Sequence, residues 1–250
     1  MREDIIYGRN PVIEALQAGN TTIDKLFIQD GLKHSQIGTI RNLAKEKNIT
    51  YRFVDKRKLD SMCDGENHQG VIAQTAAHSY CEVSDILNVA KEKGETPFLV
   101  ILDGITDPHN LGSIIRTANA AGAHGVIIPK NRSAVLNSTV AKVSAGAIEY
   151  TKVARVTNLA QTIEKLKKEG MWIVGTDLLG EQTHSECSMT GSVGIVIGSE
   201  GEGMSRLVRE SCDFLVKIPM IGEIESLNAS VAAGVLLYEV VRQKREKGEL

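Results

Sequence analysis

"FLVILDGITDPHNLGSIIRTANAAG", residues 98–122, sets the architecture. It opens on an unbroken apolar run, "FLVIL". Such runs are strands buried on both faces, as in a parallel sheet covered by helices. A polar turn follows, and then apolar residues recur at helical spacing, with Leu111, Ile114, Ile115 and Ala118 on one face. Pro108 disfavours helix at Asp107, so Asn110 is expected to cap a helix that begins at Leu111. Arg116 stands off the apolar face. Side chains on a helix lean toward its N-terminus, so Arg116 should reach back across Gly112, where no side chain blocks the path. The helix start then offers free N–H groups, a positive dipole end and a guanidinium, a set that suits a phosphate. A capped helix carrying a surface arginine is the other reading.

The same strand-then-helix rhythm extends to the C-terminus. "HGVIIP", "TKVARV", "MWIVGTD", "VGIVIGSE" and "DFLVKIP" are further apolar runs, with a helical stretch at 158–170 and a long helix at about 226–246. In that last helix Leu227, Val231, Val235 and Tyr238 recur at helical spacing. Toward the N-terminus a smaller α/β unit emerges. Residues 10–19 read as a helix with Asn10 as cap, Pro11 at its first position and Gly19 as its stop. Strands are expected at 23–29, 50–55 and 70–76, and helices at 35–48 and 56–63. "KEKGETP" (91–97) is charged, lacks periodicity and holds Gly and Pro, which marks a boundary. The division expected is 1–76, a linker at 77–96, and 97–250.

Composition narrows the class. The 250 residues are 42% hydrophobic and 24% charged, with a net charge of −2. That is ordinary for a globular protein and too acidic for an indiscriminate polyanion binder. No apolar stretch is long enough to span a membrane, and the N-terminus lacks the layout of a signal peptide, so a cytoplasmic protein is expected. The four cysteines form no CxxC pair and the six histidines are scattered; no metal site is expected. Charge is nonetheless segregated. Residues 116–155 hold six Lys or Arg against one acid, and residues 176–213 hold seven acids against two arginines. Arg52, Lys56, Arg57 and Lys58 form a second basic group. Two such groups favour an anionic polymer as partner.

Ligands of open α/β sheets bind at the carboxyl ends of strands. Three strand-to-helix junctions of the larger unit fall there. The first is the turn at 107–112. The second is "VIGSEGEGM" (196–204), where Gly198, Gly201 and Gly203 permit close backbone approach. Its order, GxxGxG, is neither a dinucleotide fingerprint nor a Walker A loop. Glu200 and Glu202 would repel a pyrophosphate and suit a cationic or neutral ligand. Alone, this loop reads equally as a tight turn. The third is "IPMIGEIESLNASVAAG" (218–234), where Ser226 or Asn228 can cap a helix lined with small residues that pack closely on a neighbour, either core or another subunit.

Taken together, "DPHNLGSIIRTA", "IVIGSEGEGM" and "IPMIGEIESLNASVAAG" resemble motifs 1, 2 and 3 of the SpoU (TrmH-like) branch of the SPOUT RNA methyltransferases. The three stand in family order across residues 97–246. "YGRNPVIEAL" and "HQGVIAQ" are similar to the substrate-binding domain of a subgroup that methylates ribose 2′-hydroxyls of ribosomal RNA, nearest the RlmB type that acts on a large-subunit (23S) guanosine.

The resemblance implies an α/β-knot catalytic domain, trefoil-knotted, with a small L30e-like N-terminal α/β domain that binds RNA. It implies S-adenosyl-L-methionine as cofactor, held by Thr176, Gly198, Ile218, Met220 and Leu227, and a homodimer formed through the catalytic domain. The catalytic group it implies is Arg116 with Asn110, Glu200, Ser226 and Asn228. RNA docking is expected at Arg9, Arg52, Lys56, Arg57 and Lys58. A neutral 2′-hydroxyl is a poor nucleophile and must be oriented and relieved of its proton. The family gives that task to the arginine. Because arginine stays protonated, its chemistry fits a phosphate clamp and a stabiliser of the developing alkoxide better than a base. A transfer RNA or another ribosomal site as target, and a non-catalytic RNA-binding module, are the alternatives.

Overall fold

The computed structural model describes residues 5–18, 23–63, 65–75, 78–178 and 180–250. The chain divides into two compact units, Met1–Ser79 with Val135–Ser138, and Tyr80–Ala134 with Thr139–Leu250.

The first unit runs β1 (Ile5–Tyr7), α1 (Arg9–Ala18), β2 (Ile23–Gln29), α2 (Ser35–Glu46), β3 (Thr50–Val54), α3 (Lys56–Met62) and β4 (Val71–Thr75). Its sheet has the order β1-β4-β2-β3. β4 is antiparallel to both neighbours, whereas β2 and β3 run parallel, with α2 as the crossover between them. Val12, Leu16, Leu26, Ile28 and Ile40 form the core between sheet and helices. α1 starts at Arg9, one residue before the cap expected at Asn10, whose side chain instead accepts from Gln36 Nε2 at 2.7 Å. The stop expected at Gly19 lies outside the described residues.

The second unit contains α4 (Val83–Lys93), β5 (Phe98–Asp103), α5 (Pro108–Ala120), β6 (Gly125–Pro129), α6 (Ser138–Val143), β7 (Lys152–Val156), α7 (Leu159–Lys168), β8 (Trp172–Thr176), β9 (Gln182–Thr183), β10 (Val193–Gly198), α8 (Arg206–Ser211), β11 (Phe214–Lys217) and α9 (Ala229–Glu246). The seven strands are all parallel, in the order β7-β6-β5-β10-β8-β11-β9. The chain lays β5, β6 and β7 outward, crosses to β8, and only later inserts β10 between β5 and β8. Every residue of β5 is buried, as its apolar run requires. Among the described residues no helix is long and apolar enough to cross a membrane.

One expectation fails here. The stretch 77–96, read as a linker, holds α4, whose Ile86 packs with Leu99, Ile101 and Ile127 in the core of the second unit. Glu82 and Asp85 form a capping box at its start, and Gly94, which looked like a linker glycine, is its left-handed C-cap (φ 69°). The last helix is present, but its residues at helical spacing, Leu227, Val231, Val235 and Tyr238, are not its core face. Val231 and Tyr238 are 50% and 52% exposed, and Ala229, Ala233, Leu236, Leu237 and Val240 face the core.

Candidate active site

The three junctions converge on the carboxyl ends of β5, β8, β10 and β11. At the first, Asp107 is the N-cap: its side chain accepts from His109 N at 3.0 Å, and Pro108 occupies the first turn, where no N–H is needed. The cap expected at Asn110 is therefore corrected. Asn110 lies inside α5, and its amide is used elsewhere. Gly112 also has a different purpose from the one expected. A Cβ there would stand 2.8 Å from Val143 Cβ and 3.0 Å from the Val140 carbonyl, so the glycine lets α6 pack against α5. Arg116 is exposed and forms no hydrogen bond or ion pair with a described residue.

At the second junction, Ser199 and Gly203 exchange backbone hydrogen bonds of 3.0 and 2.9 Å, closing a tight loop beyond β10. The loop is fixed from below by Asp103, the buried last residue of β5, whose Oδ2 accepts from Ser205 N at 2.7 Å. Sequence reasoning passed over Asp103; an acid closing an apolar strand was the available signal. Gly198 is compulsory, because a Cβ there would fall inside the backbone of Gly203 and Met204.

At the third junction, Asn228 caps α9, accepting from Ser230 N and Val231 N at 3.0 and 3.4 Å. Small residues on α9 meet α5, with Gly234 facing the Thr117 methyl.

Glu200 joins the three. Its Oε1 accepts from Asn110 Nδ2 at 3.0 Å, from the Ala229 backbone N–H at 3.1 Å, and from Asn228 Nδ2. Asn228 Nδ2 is also 3.0 Å from Asn110 Oδ1. One carboxylate thus ties the glycine loop to the starts of α5 and α9, where the positive ends of both helix dipoles favour it. Of the residues expected to act in catalysis, Asn110, Glu200 and Asn228 come together in this network. Ser226 is exposed on the loop before α9, and Arg116 lies further along α5, outside the network.

Beside the network opens a cavity of about 360 Å³. All five residues expected to hold the cofactor, Thr176, Gly198, Ile218, Met220 and Leu227, line it, as do Glu200 and Ser226. Thr176 Oγ1 donates to the Val196 carbonyl at 3.2 Å, which orients it at the end of β8. The remaining wall mixes apolar side chains (Leu178, Ile197, Val216) with the exposed backbone of the glycine loop. That combination suits a flat heterocycle with polar edges.

The profile of the SpoU rRNA Methylase family matches residues 97–238, which include all three junctions. The chain belongs to the SpoU methylase family. The SpoU domain is preceded by a match, over residues 5–81, to the RNA 2′-O ribose methyltransferase substrate-binding domain. YacO of Bacillus subtilis, assigned to the TrmH family of tRNA/rRNA methyltransferases, is 50% identical over 248 residues, covering 99% of each chain. The crystal structure of the SpoU methyltransferase AviRb from Streptomyces viridochromogenes, solved with S-adenosylmethionine, is 27% identical with a TM-score of 0.62 and covers 97% of this chain and 90% of its own. A TrmH/SpoU tRNA-modifying enzyme of A. aeolicus is 30% identical with a TM-score of 0.57 and covers 66% of this chain and 85% of its own. This SpoU methylase is an RNA 2′-O-methyltransferase with the SPOUT fold, and its methyl donor is S-adenosylmethionine.

On the N-terminal unit, Arg52, Lys56, Arg57 and Lys58 are exposed along β3 and the first turn of α3. Arg9 is half-buried, its backbone N and Nε turned to Gln69 Oε1 at 3.3 and 3.5 Å.

Proposed function

We propose that the protein methylates the ribose 2′-hydroxyl of a guanosine in large-subunit ribosomal RNA, in the cytoplasm, as a step in rRNA processing. The observation that carries the ribosomal target is the domain pairing, because the N-terminal unit resembles the substrate-binding domain of the subgroup that acts on ribosomal RNA. The likeness to the A. aeolicus tRNA-modifying enzyme extends over 66% of this chain, whereas the likeness to AviRb extends over 97% and takes in the substrate-binding unit. Guanosine rests on the resemblance to the RlmB type.

When bound, S-adenosylmethionine supplies a methyl group on a positively charged sulfur. In this reading Thr176, Gly198, Ile218, Met220 and Leu227 hold it. Asn110, Glu200 and Asn228 keep the glycine loop and two helix starts in one geometry, so the incoming hydroxyl meets a preorganised wall. Ser226, on the cavity rim, orients the ribose. Arg116, free of protein partners among the described residues, clamps the target phosphate and stabilises the developing alkoxide. Arg9, Arg52, Lys56, Arg57 and Lys58 dock the RNA. The exposed apolar side chains of α9, Val231 and Tyr238, with half-buried Val235 between them, fit a homodimer contact through the catalytic domain; a monomer by sedimentation at micromolar concentration would remove that part.

The deciding experiment maps 2′-O-methylated nucleotides in total RNA from a strain lacking the gene and from its parent. Loss of one 2′-O-methylguanosine from 23S RNA is expected. Loss from a transfer RNA with ribosomal RNA unchanged would overturn the reading.

A further inference from the structure

The N-terminal unit has a second cavity, of about 400 Å³, at the carboxyl ends of the parallel pair β2 and β3. Gln29, Lys56, Asp60, Asn67, His68 and Gln69 line it with Glu66 and two glycines, so every residue on its wall is polar or glycine. Such a wall excludes a lipid or an apolar ligand and requires one rich in hydrogen-bonding groups.

The cleft is built, not accidental. His68 is buried, at 4% exposure. Its Nδ1 accepts from Gly70 N at 2.9 Å, which leaves the ring proton on Nε2, 3.0 Å from Asp60 Oδ1. The neutral ring therefore fixes both the loop and the carboxylate. Gln69 sits at φ 50°, a left-handed conformation that a non-glycine residue seldom adopts. Its side-chain carbonyl is taken by Arg9. That arrangement leaves a specific set of groups without a partner among the described residues: the amide nitrogen of Gln69, the amide of Asn67, the ammonium of Lys56 and Asp60 Oδ2.

We propose that this cleft takes an unpaired guanosine of the RNA substrate, separate from the nucleotide that is methylated. The inference rests on reading the N-terminal unit as the RNA-docking domain. Sequence-specific RNA recognition targets unstacked bases through their Watson–Crick edges. The guanine edge carries two donors, N1–H and N2–H, beside one acceptor, O6. A fixed carboxylate (Asp60) next to amide and ammonium donors (Asn67, Gln69, Lys56) matches that order. An adenine or a pyrimidine edge would leave the carboxylate facing an acceptor or only one donor. Lys56 lines the cavity, and the exposed Arg57 and Lys58 follow it on the first turn of α3, cations that flanking phosphates could meet.

The test uses the full chain and RNA hairpins that differ only in one unpaired loop nucleotide, G, A, C or U, with binding followed by fluorescence anisotropy across a salt series. The wild type should bind the G hairpin about tenfold more tightly than the others. Asn67→Ala and Gln69→Ala leave the His68–Asp60 lock intact; either should bring the G hairpin to within about twofold of the rest, at the same salt slope. Lys56→Ala should instead lower the slope by about one and keep part of the preference. Equal binding of all four hairpins by the wild type, or an unchanged preference in both amide variants at wild-type melting temperature, overturns the proposal. Methyl transfer from labelled S-adenosylmethionine to ribosomal RNA is measured alongside. Failure of the wild type there defeats the functional reading alone, whereas normal transfer without a G preference defeats the cleft alone.

Discussion

Replacing Glu200 separates its role as a tie from any role in the chemistry. Its Oε1 receives three donors, two side-chain amides and the first backbone N–H of α9. A hydrogen bond to a charged group contributes about 1.5–3 kcal/mol where it is sheltered. Glu200 is exposed and Asn110 and Asn228 remain bonded to each other without it, so each bond is discounted to well under that range. The loss expected for Glu200→Ala is about 1–3 kcal/mol, or a fall of roughly 2–10 °C in melting temperature for a chain of this size. Glu200→Gln keeps an acceptor and loses the charge, and should fall between. The assays are thermal melting, calorimetry with S-adenosylmethionine, and single-turnover methylation. A double-mutant cycle with Asn110→Ala then isolates the tie, and a coupling of at least about 0.5 kcal/mol in stability is expected. A cycle with zero coupling, in a Glu200→Ala protein that melts like the wild type yet has lost turnover, would refute the tie and leave Glu200 a purely chemical role.

Other variants probe different walls. Gly198→Ala forces a methyl into the Gly203–Met204 backbone, so cofactor affinity by calorimetry should drop at least about tenfold while far-ultraviolet circular dichroism is unchanged. Arg116→Lys keeps a cation but loses the two-pronged fork, so RNA affinity should hold within about threefold while single-turnover methylation falls at least about tenfold; near-normal methylation removes Arg116 from the chemistry. His124 has its pKa held below the ordinary value, chiefly by burial, which outweighs the opposing pull of Glu95. Its Nδ1 accepts from Phe98 N at 3.0 Å, a bond that protonation breaks. The unfolded state thus binds the proton more readily, and the stability held above about pH 6.5 is lost as the pH falls below it. Urea midpoints at pH 7.5 and 5.5 should differ more in the wild type than in His124→Gln, and equal differences would show that the histidine does not govern the acid limb.

Much of the fold was legible because it is local. Apolar runs between turn residues located six strands of the parallel sheet, and periodicity found the buried face of α5. Misreadings arose where two residues competed for one task. Asp107 and Asn110 are both good caps, and the choice fell to Asp107 because it places Pro108 at the first helical position, which suits proline's fixed φ and missing N–H. On α9 the small residues were legible as a close-packing face, and α5 approaches there, with Gly234 against the Thr117 methyl; the larger Val231 and Tyr238 at helical spacing are exposed instead. Gly94 was read as a chain break because a helix stop and a linker share the same residue. β9, two residues long, carries no pattern of its own.

The site was legible as a set of residues and illegible as an arrangement. Glu200 and Asn110 lie 90 positions apart, and Asn228 is a further 28 beyond Glu200. No periodicity links them; β10 brings them together by inserting beside β5 after β8 is already in place. This insertion also explains the glycine loop. A strand flanked on both sides by earlier strands must leave the sheet through a crowded exit, and Gly198 turns there against Gly203 and Met204 with no room for a side chain. Asp103, at the matching end of β5, then receives the Ser205 amide. A loop held from below by Asp103 and from the side by Asn110, Asn228 and Ala229 has little freedom left. The carboxylate of Glu200 therefore spends its hydrogen-bonding capacity on rigidity, which is what an in-line transfer between two bound partners demands of the wall between them.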